Sequence, residues 1–156
     1  MARCQRVQPV RVRLYPERRR GLYVLIQVWP TKRDLVRYSR ESNHRIGRDG
    51  IALCNQLTII NYGRARRPRM LPIFAEVNFW RKRIGMEVIT HELFHATLAW
   101  ARRIKFPWDR LHAEDSVNAE EERLTHVHGR LCSQLVSRFI AVGVYRREDL
   151  MAEGAG

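Results

Sequence analysis

The chain has 156 residues, of which 45% are hydrophobic, and a formal charge of +13. That length suits one domain with a core of its own and no internal repeat. Cys4, Cys54 and Cys132 are an odd number without C-x-x-C spacing, which excludes a disulfide framework and a cysteine zinc knuckle, and no stretch approaches about 18 uninterrupted apolar residues, which excludes a membrane-spanning helix.

Along the chain, Val10, Val12 and Leu14 alternate with Arg11 and Arg13, the period of a half-buried strand. Residues 21–29 are apolar after a basic run, but Gln27 interrupts them and no small-residue cleavage site follows, so a buried central strand over 22–28 is the better reading than a leader peptide. A reducing, cytoplasmic compartment is the default expectation. Thr31 stands three residues before Asp34, a helix-start pattern that predicts a short helix to about Ser39, and residues 42–50 read as a loop. Leu57, Ile59 and Ile60 favour a strand within 51–62, ahead of a basic linker over 63–69. Ile73, Phe74, Val77 and Phe79 predict a strand over 71–80.

The string that names a chemistry comes next. His91-Glu92-Leu93-Phe94-His95 is H-E-x-x-H, within a segment over 86–104 where Ile89, Leu93, Ala96, Trp100 and Ile104 recur at helical spacing. On a helix, positions i and i+4 share a face, so both imidazoles reach one ion while Glu92 flanks its open side as general base. The implied cofactor is Zn2+. A catalytic zinc needs a third protein ligand, and the metzincin continuation is excluded because Leu98 and Ala101 stand where glycine and histidine are required. A last helix from near 116–118 to about 142, stopped by Gly143, opens on Glu120-Glu121-Glu122. Helical phase groups Glu121 with Leu124, His128, Leu131 and Leu135, which makes it the favoured third ligand, with Glu122 and His128 as alternatives. His112, His126, His128 and Tyr145 are candidates for the oxyanion donor, unranked by sequence.

The segments E-V-I-T-H-E-L-F-H-A-T-L and E-E-R-L-T-H-V-H-G-R-L, over roughly 71–140, resemble the small zincin metallopeptidases of gluzincin type. They are distantly similar to the ImmA/IrrE-type peptidases, which implies a glutamate third ligand, and to the SprT-like proteases, which implies a third histidine and a DNA-binding surface. The resemblance implies an α+β zincin-like fold: a twisted N-terminal sheet packed on the H-E-x-x-H helix, a C-terminal helix completing the site, and the 71–80 strand at the sheet edge beside the cleft. It implies hydrolysis of peptide bonds in an intracellular protein substrate. The rival class is a non-catalytic, zinc-containing basic module, for which the arginine clusters over 18–20, 64–69, 81–83 and 102–103 make nucleic acid a candidate partner.

Overall fold

The computed structural model describes residues 8–17, 21–42, 52–56, 60–61, 69–112 and 119–146. In chain order these form β1 (Val10–Leu14), β2 (Tyr23–Trp29), α1 (Lys32–Glu41), β3 (Ala52–Gln56), β4 (Ile60–Asn61), β5 (Arg69–Met70), β6 (Ile73–Trp80), α2 (Met86–Arg103) and α3 (Ala119–Ala141). The class is α+β. A four-stranded mixed sheet has the order β1-β2-β6-β3, and β4 and β5 form a separate two-stranded ribbon. β2 and β6 run parallel, while β1 and β3 pair antiparallel at either side. The expected loop over 42–50 and the tail over 152–156 fall almost wholly outside the described residues.

Period two sorts the side chains of this sheet to two faces. Val12, Leu14, Val24, Ile26, Val28, Ala75, Val77 and Phe79 join one buried cluster with Ile89, Leu93, Ala96 and Trp100 of α2 and Leu131, Leu135 and Phe139 of α3. Leu93, Leu131 and Leu135 are fully buried, and each such side chain stabilises the fold by about 2 kcal/mol. The helix ends follow local chemistry. Thr31 caps α1 by accepting the Asp34 amide at 3.1 Å. Gly143, at φ +68°, takes the left-handed conformation that ends α3.

The opposite face is polar, and at β2 and β6 it is still buried. Arg11, Gln27 and Asn78 stand opposite one another across β1, β2 and β6. Arg11 Nε donates to Gln27 Oε1 (3.0 Å), Gln27 Nε2 to Asn78 Oδ1 (3.3 Å), and Asn78 Nδ2 to Glu76 Oε1 (2.8 Å). Trp29 Nε1 adds a second donor to Asn78 Oδ1 (2.8 Å), and Tyr38 of α1 donates to Glu76 Oε1 (2.6 Å). Burial, the hydrogen bond to Glu76 and that carboxylate's charge hold the Tyr38 phenol above its ordinary range. Helix α1 thus closes the sheet through hydrogen bonds where α2 and α3 close it through apolar contact.

This network corrects one expectation. The 71–80 strand is not at the edge, because β6 lies between β2 and β3. Its polar residues, Glu76 at 8% exposure and Asn78 at 0%, face α1 rather than water. The free edge beside α2 belongs instead to β3, with which no other strand pairs among the described residues.

Replacing Asn78 by alanine leaves the Trp29 indole N–H and the Gln27 amide without their shared acceptor. Urea unfolding should therefore show a loss of about 3 kcal/mol, since each buried unsatisfied donor costs about 1–3 kcal/mol. An unchanged midpoint would mean that the network contributes nothing.

A candidate active-site groove between α2 and β3

Helix α2 begins after Gly85, whose carbonyl accepts the Ile89 amide, and packs against β6 and β3 on one side and α3 on the other. Burial of Ile89, Leu93, Ala96 and Trp100 fixes its rotation. The neighbouring face, which carries Glu92, His95, Leu98 and Arg102, is thereby turned along the free edge of β3. Between that face and Ala52, Leu53 and Cys54 lies a groove of about 300 Å³.

Glu92 sits at one end of the groove with the backbone of Cys54 close beside its carboxylate. Ala52, two residues before Cys54 in β3, shares the orientation of the Cys54 amide. Burial raises the basicity of the Glu92 carboxylate above the ordinary glutamate range, against the smaller opposing effects of His91, His95 and the Cys54 amide. His91 and His95 are exposed, and their Nε2 atoms lie 3.2 Å apart with the rings edge to face. Burial, with the Glu92 charge beside it, pushes the Cys54 thiol up to about 12, which disfavours its thiolate.

The motif residues are therefore brought together as expected, and the third ligand is not. Among the described residues no group of three or more His, Cys, Asp or Glu side chains is arranged to hold a metal ion, so the expectation of Zn2+ held by His91, His95 and Glu121 is overturned. The reason lies in where α3 begins along α2. At the first turns of α3 the Arg123 guanidinium lies 5.3 Å from the centre of the Trp100 ring, near the far end of α2. Glu121 is exposed.

The two helices also run past each other in opposite directions. Arg123 meets Trp100, while His128 lies 3.5 Å from Thr97 Oγ1 and edge-on to Phe94. The start of α3 thus lies beside the end of α2, and residue 100 is about 13 Å along the helix from His91. Glu122 and His126 are likewise exposed, and His128 is engaged with Thr97, Cys132 and Phe94 away from the histidine pair. Tyr145 is buried and donates to the Ile84 carbonyl at 3.2 Å. The His112 side chain lies outside what is described.

Of the arginine clusters, 18–20 and 64–68 lie outside the described residues. Arg81, Lys82 and Arg83 form an exposed turn after β6, with Arg81 Nη2 donating to the Gly143 carbonyl at 2.8 Å. Arg103 donates to the Leu71 carbonyl at 2.9 Å. Among the described residues no helix is long and apolar enough to cross a membrane.

No protein-family model, curated protein or solved structure matches this chain. Of the groove-lining residues, Ala52 and Leu53 were not singled out by sequence, and Cys54, Leu98 and Arg102 were noted only in other connections. The helical series from Glu92 through His95 and Leu98 to Arg102 was readable as one face, but the strand opposite it was not.

A carboxyl raised by burial contributes stability only while protonated. That contribution is complete below the ordinary carboxylate range and is lost as pH rises through the raised value, so ionised Glu92 costs stability at neutral pH. Glu92→Gln keeps the size of the side chain and removes the charge. Its melting temperature should exceed that of the wild type at neutral pH, and the difference should vanish in acid. A wild type more stable than the variant at neutral pH would contradict the buried placement of Glu92.

Proposed function

We propose that the groove between α2 and β3 is the active site of a peptide-bond hydrolase with a zincin-like layout, acting on an extended segment of an intracellular protein. One observation carries this reading: Glu92 stands beside β3, an edge strand among the described residues, with the Cys54 backbone near its carboxylate and the His91–His95 pair next to it. The resemblance implies an H-E-x-x-H helix next to an edge strand that pairs with substrate, and β3 supplies that edge. A peptide aligned along β3 gains main-chain hydrogen bonds, which recognise backbone and not sequence.

The chemistry follows from what faces the groove. Glu92 removes a proton from water as its oxygen attacks the scissile carbonyl carbon, and the new C–O bond converts that carbon to a tetrahedral oxyanion. An N–H of His95, which lines the same groove, is placed to donate to that oxygen. Glu92 then delivers its proton to the amine nitrogen as the C–N bond breaks. The raised basicity of Glu92 makes it a stronger proton acceptor than an ordinary glutamate.

A mass-spectrometric digest of an unfolded protein by the purified full chain is the test. Wild type should cut it, and Glu92→Gln should lower the rate by about 10²–10⁴-fold, the usual worth of a positioned general base. His95→Ala should also lose activity while keeping its melting temperature, since its side chain is exposed. Equal cleavage by wild type and Glu92→Gln would end this reading.

A further inference from the structure

Helix α1 turns a face of one sign to solvent. Leu35 and Ser39 are buried on the sheet side and Tyr38 reaches Glu76, so helical phase sends Arg33, Arg37 and Arg40 to the opposite side. Arg33 and Arg40 are exposed there and Arg37 is partly so. The three form one ridge about 10 Å long, at ~1.5 Å of rise per residue. Neighbours of like charge at i, i+3 and i, i+4 weaken a helix, and Lys32 and Arg33 add charge at its positive end. Asp34, the carboxylate of that first turn, takes the Thr31 hydroxyl at 2.6 Å. A merely solvated face would be steadier with alternating signs, so this ridge is a local conflict of the kind found where a protein meets a partner.

The sheet extends the ridge. β2 and β6 run parallel with Trp29 opposite Trp80, so α1 and the exposed turn Arg81-Lys82-Arg83 leave the same end of the sheet from neighbouring strands. Lys32 Nζ lies 6.0 Å from the centre of the Trp80 ring, which ties the start of one basic segment to the start of the other. Within the two segments the carboxylates are Asp34 and Glu41 alone.

We infer that α1 and the 81–83 turn form a docking surface for the phosphate backbone of a nucleic-acid duplex. α1 lies on the other face of the sheet from α2, so this surface is separate from the groove and does not depend on the hydrolytic reading. A guanidinium takes a phosphate in two parallel hydrogen bonds. The large exposed hydrophobic residues among the described ones, Phe94, Trp108 and Val142, lie outside both segments. An acidic protein partner calls for apolar anchors, a membrane surface for an outward apolar helix face, and a single strand for rings on which bases stack. A duplex backbone calls for none of these, and its regular charge suits a rigid ridge.

The test is fluorescence anisotropy of a fluorescein-labelled DNA duplex of about 20 bp, titrated with the full chain at several KCl concentrations. Wild-type affinity should fall about 500-fold between 50 and 200 mM KCl, as for about five neutralised phosphates, and the duplex should bind more tightly than either of its strands. The triple variant Arg33→Gln, Arg37→Gln, Arg40→Gln keeps good helix formers in α1. It should bind about 10²-fold more weakly at 100 mM KCl and lower the slope of log affinity against log salt by about 2.7. It should melt no lower than the wild type, because like charges have been separated. Removing three cations from the α2–α3 side, by Lys105→Gln, Arg130→Gln and Arg138→Gln, should change the affinity by less than about threefold, since salt screens distant charges. No duplex binding at 100 mM KCl, tighter binding of a single strand, equal losses in the two triple variants, or a lower melting temperature for the α1 variant would overturn the inference. So would binding of phosphatidylserine vesicles or polyglutamate as strong as that of the duplex.

Discussion

Strand β6 is covered on both faces, and the rest of the fold follows from how that is made tolerable. One face is met by the apolar stripes of α2 and α3. The other carries Glu76 and Asn78, which would each cost several kcal/mol if buried without partners. Gln27, Trp29 and Tyr38 supply those partners from β2 and α1. With both sides satisfied, β6 occupies the interior of the sheet and β3 is left as the edge. Had β6 been the edge, the polar face would have opened to water and α1 would have had little to close upon.

The site is a consequence of that order. Burial of the Ile89, Leu93, Ala96 and Trp100 stripe sets the rotation of α2, and the next face of the helix then borders whichever strand is free. That strand is β3, so the Cys54 backbone borders Glu92 rather than another strand. This approach of an edge strand to a helix carboxylate joins the sheet to the chemistry, and it places the backbone of β3 alongside the same groove.

Much of this was legible in residue order, and the failures have physical causes. β1 appears at residues 10–14 as its alternation predicts, and α2 covers 86–103 against an expected 86–104. These elements are governed by local periodicity. The edge placement of β6 was what the resemblance implied, and residue order could not correct it because the partners that bury Glu76 and Asn78 lie 38 to 51 residues away in sequence. The third-ligand expectation failed because a helical wheel does not say where along α2 the start of α3 falls. Arg123 lies over Trp100, near the end of α2 away from His91. The motif itself was fully visible, since i and i+4 on one helix need no tertiary information.

The closeness of the Cys54 backbone to the Glu92 carboxylate carries the central claim, and amide hydrogen exchange reads it directly. An edge-strand amide facing away from its sheet exchanges quickly unless something outside the sheet accepts it. In the wild-type protein the Cys54 amide should be protected well above the Ala52 amide, which has the same orientation in the strand. In Glu92→Ala that protection should fall to the level of Ala52 while the β2 and β6 amides keep theirs. A Cys54 amide that exchanges as fast as Ala52 in the wild type, or one whose protection is unchanged by Glu92→Ala, would contradict the account.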